Sequence, residues 1–169
     1  MQVPSRRKVS ARARTGARRP KALDVESEGM DLAELNDRVG YFLRRLQVAV
    51  FKDFIRTLAP VDVRPAQYSI LVLIAANPGR SQAAIGKALN IERARLARML
   101  HELERRQWIE RRISSGDGRS HSLYMTAAGK DAMARITKLA ARHERQMVKF
   151  IGPKLRQLLL DSLQKFGRP

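Results

Sequence analysis

The chain has 169 residues, with no cysteine, three scattered histidines and few aromatic side chains. The lack of cysteine excludes disulfides, thiolate metal sites and thiol-based redox sensing. Aromatic residues make up 5%, which argues against a stacking platform for single-stranded nucleic acid. There is no glycine-rich phosphate loop, no paired His-carboxylate arrangement and no metal-ligand spacing. We therefore expect no enzymatic activity, no cofactor and no metal.

Long hydrophobic runs are also missing. The longest, residues 68–76, is interrupted by Ser69 and is too short to cross a bilayer. The N-terminus carries no apolar signal-peptide core. We expect no membrane segment and an intracellular protein.

Positive charge is abundant. Lys and Arg number 34 against 16 Asp and Glu, which gives a formal net charge of +18 and an isoelectric point near 11.4. Such a field attracts polyanions, namely DNA, RNA or an anionic membrane surface. Charge alone leaves open a protein that coats nucleic acid without specificity or binds RNA.

The basic residues are densest in residues 1–29, where eight Lys or Arg precede the first acid, Asp24. Apolar residues there are few and small, so no core can form. We expect a disordered tail that makes loose phosphate contacts, with an organellar transit peptide as the alternative. The folded domain is expected over residues 30–169.

Hydrophobic periodicity predicts six helices. Apolar residues recur at steps of three and four over residues 31–58, and Pro60 stops this run. A helix this long cannot bury its whole stripe in a small domain, which favours a partner subunit. The other helices are predicted over residues 65–76, 82–89, 92–106, 127–150 and beyond Gly152-Pro153. In the third, we expect four residues to face inward: Ala84, Ile85, Ala88 and Leu89.

Residues 108–113 and 120–125 alternate apolar and polar side chains around a turn-rich segment, residues 114–118, and so predict a β-hairpin. The order helix, tight turn, helix and hairpin over residues 81–125 is typical of a winged helix-turn-helix. We therefore predict a mainly α fold with a small β-hairpin wing. In that fold the second helix of the pair enters the major groove of DNA.

The predicted helix over residues 92–106 has two faces. At 100° per residue, Leu96, Met99, Leu100 and Leu103 cluster on one side. The opposite side and its flanks carry Ala94, Arg98, His101 and Arg105, with Arg93 and Arg95. An Arg side chain can read guanine bidentately, and a good contact discriminates by about 1–3 kcal/mol. The alternative is a solvated charged face. It is less favoured because five arginines meet only two acids between residues 93 and 106.

The wing supplies further basic residues. Arg119 lies near the predicted loop tip, where it can enter a narrow minor groove, and Asp117 can orient it. A surface ion pair is the alternative. The full candidate DNA-contact set is Ser81, Gln82, Arg93, Ala94, Arg95, Arg98, His101, Arg105, Arg111, Arg112, Asp117 and Arg119.

Four segments follow one another in an order typical of one protein family: residues 63–71, 81–89, 91–98 and 103–111. Through them the chain resembles the MarR family of bacterial transcription regulators over residues 32–165. Asp117-Gly118-Arg119 and Met125-Thr126-Ala127-Ala128-Gly129 are similar to the family's D-x-R and L-T-x-x-G signatures. The chain departs from the family at Ala94, Arg95 and Ala97, where Ser or Thr is usual, and at Gln107, where Gly is usual.

The resemblance implies a homodimer, with dimerisation helices in residues 31–60 and 127–166 flanking a winged helix-turn-helix lobe in residues 63–126. It also implies a pseudo-palindromic DNA operator, a nucleoid-associated cytoplasmic protein, and repression relieved by a small molecule. Implied ligand-binding residues are Tyr41, Arg44, Arg45, Val48, Phe51, Arg64 and Tyr68. The aromatic and aliphatic members are equally consistent with plain core. The arginines favour an anionic effector, such as an aromatic acid or its coenzyme A thioester.

Overall fold

The computed structural model describes residues 30–113 and 121–165. The basic tail, the wing tip with Asp117 and Arg119, and the last four residues lie outside the described residues. The helices are α1 (Val39–Leu58), α2 (Pro65–Ala76), α3 (Gln82–Leu89), α4 (Arg93–Arg105), α5 (Ala127–Ile151) and α6 (Pro153–Leu163), with strands β1 (Ile109–Ile113) and β2 (His121–Met125). The predicted mainly α fold with a hairpin wing is confirmed.

The first predicted helix begins later than expected. A 3-10 turn occupies Ala33–Asp37, Arg38 is extended (φ −99°, ψ 108°), and α1 starts only at Val39. The prediction of one helix from residue 31 is therefore wrong. The Asp31 carboxylate accepts the Ala33 N–H at 2.9 Å, and such short polar side chains compete with regular helix bonding.

Caps fix the ends of α3 and its junction with α4. The Ser81 hydroxyl accepts the Ala84 N–H at 3.2 Å, and Asn90 ends α3 in the left-handed region (φ 49°). Ile85 is buried, as predicted, but Ala84 and Ala88 are exposed, so that part of the inward-facing set is wrong. The reason is that α3 packs on α4 through Ile85 and Gly86, where an added Cβ would lie 3.2 Å from Leu96 Cδ2.

The core is centred on α2, α4 and the hairpin, and α1 and α5 add side chains to it. The antiparallel hairpin pairs Ile109 with Met125, and its base joins the core through Ile109 and Leu123. Fully buried side chains come from α1, α2, α4, α5 and β2: Leu58, Ile70, Leu71, Ile74, Leu96, Leu100, Leu103, Leu123 and Ile136. The recognition helix candidate α4 is therefore seated on the core along one whole face.

A buried polar contact joins α1 to α5, and it is a His-carboxylate pair, so the expectation of no such pairing is wrong; the two residues are too far apart in sequence to show a motif. His143 Nδ1 lies 2.8 Å from Asp53 Oδ2, and both side chains are buried. Asp53 also pairs with Arg56, whose side chain is largely exposed. The His143 ring stands edge-on to Phe54 with centroids 5.3 Å apart. These contacts restrain how far α1 can slide along α5, and these are the two longest helices described.

The 3-10 turn, α1 and α6 leave several large apolar side chains exposed in this chain. The exposed large residues include Leu35, Val39, Phe42, Leu43, Phe51, Ile55, Leu155, Leu158 and Leu163. An extensive exposed apolar surface of this kind marks a site of association. The buried part of the predicted α1 stripe is confined to its C-terminal end, where Phe54 and Leu58 enter the core.

Among the described residues no single helix is both long and apolar enough to span a membrane. Residues 39–61 and 65–76 meet that test only as a pair, by length and composition, with a 67° bend between them.

Candidate DNA interface and the adjoining cleft

Burial divides α4 into the two faces that the sequence predicts. Leu96, Leu100 and Leu103 are buried, and Met99 is half-buried. The polar face is exposed along the whole helix: Arg93, Ala94, Arg95, Arg98, His101 and Arg105. A rigid helix with an exposed basic face has the shape and charge that the major groove accepts.

Glu92 caps the N-terminus of α4. Its carboxylate accepts the Ala94 N–H at 2.8 Å and the Arg95 N–H at 3.0 Å. These backbone hydrogen bonds, to Ala94 first and then Arg95, hold the pKa of Glu92 below its usual value, and the nearby Arg98 charge adds to the effect. The first turn of α4 is therefore fixed before any contact with DNA.

A cleft of about 550 Å³ lies between α3, α4 and the hairpin. It brings together four predicted DNA-contact residues from three separate segments of the chain: Ser81, Gln82, Arg93 and Arg111. Among its other lining residues are two with basic side chains that the sequence analysis did not select, Lys87 and His121. Lys87 lies in the last turn of α3, the first helix of the helix-turn-helix. A basic residue at that position could have been selected from the sequence as a further candidate for DNA contact.

The two wing arginines of the described strands have partners within the protein. Arg111 Nε donates to Glu104 Oε1 at 2.8 Å, which ties β1 to α4. Arg112 pairs with Glu110, and its guanidinium lies 4.5 Å from the Tyr124 ring centroid. These contacts hold both side chains along the hairpin. Their DNA contacts stay a prediction.

A larger cleft, of about 690 Å³, lies between α1, the start of α2 and α4; we call it the α4 cleft. It is lined by Phe51, Ile55, Asp62, Arg64, Pro65, Ala66, Gln67, Arg95, Met99, Glu102, Arg105 and Arg106. Of the seven sequence-derived ligand residues, it contains Phe51 and Arg64.

The other five ligand candidates are placed differently. Within the described part of the chain, Tyr41, Arg44, Arg45, Val48 and Tyr68 do not line the α4 cleft. Arg45 donates to the Tyr41 hydroxyl at 3.3 Å and lies 5.5 Å from its ring centroid. Tyr68 packs against Phe54, with centroids 5.6 Å apart. Tyr68 therefore packs against the core. This agrees with the alternative interpretation, in which the aromatic residues among the ligand candidates are core residues.

The cleft also contains residues that sequence reasoning placed only on the DNA face. Arg95 and Arg105 lie on the exposed side of α4 and line the α4 cleft as well. The sequence spacing could have indicated this side of the helix. Four of the lining residues recur at steps of three and four: Arg95, Met99, Glu102 and Arg106. One helix thus borders both the predicted DNA-contact surface and the α4 cleft.

The helix pair, the tight turn at Asn90 and the paired hairpin define a winged helix-turn-helix DNA-binding protein. A sequence model of the MarR family matches residues 61–120. A predicted transcriptional regulatory protein for the hcr operon of Thauera aromatica is 34% identical over 144 residues, which cover 82% of this chain and 87% of the relative. The chain belongs to the MarR family, and it is a transcription regulator rather than an enzyme.

Two solved structures of the transcriptional repressor CouR are similar to this fold. The complex with a 23-mer DNA duplex has a TM-score of 0.79 and 41% identity, covering 82% of this chain and 99% of that one. The complex with p-coumaroyl-CoA has a TM-score of 0.77 and 39% identity, covering 82% and 98%. Both states of that repressor therefore share the architecture described above.

Proposed function

We propose that this protein is a homodimeric repressor that binds a pseudo-palindromic DNA operator and is released from it by an anionic aromatic ligand, foremost a coenzyme A thioester. The observation that carries the proposal is the double role of α4. Arg95 and Arg105 belong both to its exposed basic face and to the lining of the α4 cleft. An anion in that cleft and a DNA phosphate would compete for the same guanidinium groups.

The DNA part of the proposal rests on charge and shape. Arg93, Arg95 and Arg98 lie in the first half of α4, whose N-terminal residues approach the base edges in a helix-turn-helix. Two protomers would present two such helices to half-sites about one helical turn apart. The similarity to a repressor solved with a DNA duplex supports this docking mode.

The ligand part rests on the chemistry of the α4 cleft. Its volume lies within the range of about 300–1,000 Å³ that is typical of small-molecule sites. Phe51, Ile55 and Met99 offer an apolar surface to an aromatic acyl group. Arg64, Arg95 and Arg105 offer planar donors that suit carboxylates and phosphates. The similar repressor bound to p-coumaroyl-CoA supports a thioester over a free acid.

The dimer part rests on the uncovered apolar side chains of α1 and α6. Val39, Phe42, Leu155 and Leu158 are all substantially exposed in the protomer. Burial of apolar area contributes about 25 cal/mol per Å², so covering these residues with a second copy favours association.

Titration calorimetry with the full chain tests the ligand assignment. We expect p-coumaroyl-CoA to bind more tightly than p-coumarate or free coenzyme A, because only the thioester fills the apolar and the basic parts of the cleft. Arg64→Ala should weaken thioester binding by about ten- to a hundredfold, since a charge-assisted hydrogen bond contributes about 1.5–3 kcal/mol. DNA affinity should change less than about threefold, because Arg64 lies outside α4.

Arg135→Ala is the matched control, because Arg135 is an exposed arginine on α5 that does not border the α4 cleft. It should leave thioester binding unchanged. Binding of uncharged ligands only, or equal binding by the Arg64→Ala variant, would contradict the anionic-ligand proposal.

A further inference from the structure

A buried amide connects α2 to α4 at the side of the α4 cleft. Gln67 is 5% exposed. Its Oε1 accepts the Arg64 backbone N–H at 3.1 Å, and its Nε2 donates to Glu102 Oε2 at 2.8 Å. The side chain therefore caps α2 and holds α4 at once, and all three residues line the cleft. Both the oxygen and the nitrogen of the Gln67 amide are therefore engaged in hydrogen bonds.

Glu102 lies on α4 between the basic residues proposed to contact DNA. Arg98 is four residues before it and Arg105 three residues after it, so all three side chains share one stretch of the helix surface. The Gln67–Glu102 hydrogen bond links α2 directly to α4 and so restrains the position of α4 relative to α2. Small displacements of a recognition helix shift every base contact, because bidentate readout depends on the placement of each Arg fork.

We propose that Gln67 is a positioning residue for sequence-specific DNA binding, acting on α4 through Glu102. This inference rests on the proposed operator-binding function and deepens it. Gln67 touches no DNA in this arrangement, since its side chain is buried between α2 and α4. It sets where α4 presents its arginines. Because Gln67 also lines the α4 cleft, a ligand there meets the contact that positions the recognition helix.

The test measures the preference of the full chain for one duplex over random DNA of equal length, by fluorescence anisotropy at physiological salt. The preferred duplex is the one that the wild-type chain selects from a random pool. Gln67→Met removes both hydrogen bonds without changing charge. We expect it to reduce the preference about tenfold while affinity for random DNA stays within about twofold. A residue that only supported the fold would lower both affinities together.

Gln67→Glu places a carboxylate against Glu102, and we expect it to lose the preference as well. Combining it with Glu102→Gln restores the bond with donor and acceptor exchanged, and the introduced carboxylate can still accept the Arg64 N–H. We expect this exchange to return the preference to within about threefold of wild type. The charge-matched control combines Gln67→Glu with Asp131→Asn, an exposed position on α5, and should not restore it.

A wild-type preference in both Gln67→Met and Gln67→Glu would overturn this inference alone. Equal rescue by the Asp131→Asn control would also overturn it, because bulk charge would then explain the loss. If Gln67→Met does not fold, Gln67→Glu and its two double variants decide the matter. A wild-type chain that selects no preferred duplex would overturn the proposed function and this inference with it.

Discussion

Gln107 joins α4 to β1 in a left-handed conformation, with φ of 57°. The resemblance to the MarR family had marked this residue, because Gln stands where Gly is usual. The conformation is fixed on both sides: its N–H donates to Glu104 O at 2.8 Å, and its carbonyl accepts the Thr126 hydroxyl. The chain therefore forms a left-handed turn here although Gln stands in place of the usual Gly, and it accepts strain at a residue with a Cβ.

Replacing Gln107 with Gly should stabilise the protein. The left-handed region costs an L-residue about 1–2 kcal/mol. The greater backbone freedom of Gly in the unfolded chain offsets about 0.5–1 kcal/mol of that gain. We expect Gln107→Gly to raise the free energy of unfolding by about 0.5–1 kcal/mol in urea titrations. Asn90→Gly is the control and should change less, because Asn tolerates φ of 49°. A less stable Gln107→Gly variant would contradict the strain.

For single residues, the sequence predicted which side chains of α4 are exposed. It did not predict which acidic side chains pair with the arginines. The 3.6-residue period alone places Arg98 and His101 opposite Leu96 and Leu100. The pairing of Arg111 with Glu104 depends on how the hairpin returns along α4, which only the packed structure determines.

At the scale of elements, local signals explain why five of the six helices begin and end near their predicted bounds. Pro65, Ser81, Thr126 and Gly152 each act within one turn of a helix end. The start of α1 was mispredicted because apolar spacing continued through a segment whose polar side chains break the helix. The α4 cleft was only partly predicted, because its walls come from three helices whose packing has no local signature.

The Asp53–His143 contact should contribute strongly to the packing of α1 on α5. Asp53→Ala leaves the buried His143 imidazole without its hydrogen-bond partner, and leaving a buried polar group unsatisfied costs about 1–3 kcal/mol. Arg56→Ala removes only the exposed member of the same network and should cost less than about 1 kcal/mol. Chemical unfolding of both variants measures the difference. Equal losses would show that the buried contact is not what holds the two helices together.

At the scale of the whole molecule, the uncovered apolar surface of α1 and α6 should hold two protomers together. Phe42 is 46% exposed within the protomer, so Phe42→Asp costs the single fold little. We expect wild type to be dimeric by multi-angle light scattering, and Phe42→Asp to be monomeric with a strongly weakened affinity for a two-half-site operator. Ile113→Asp, an exposed apolar residue on β1, is the control and should stay dimeric. A dimeric Phe42→Asp variant would place the interface elsewhere.

The net charge of +18 still fits a protein that coats nucleic acid without reading sequence. The most direct test is the affinity of the full chain for its selected duplex and for random duplex of equal length, over a range of salt concentrations. A specific regulator should favour the selected duplex by at least about a thousandfold at physiological salt. Equal affinities that fall together with the same steep salt dependence would contradict the account.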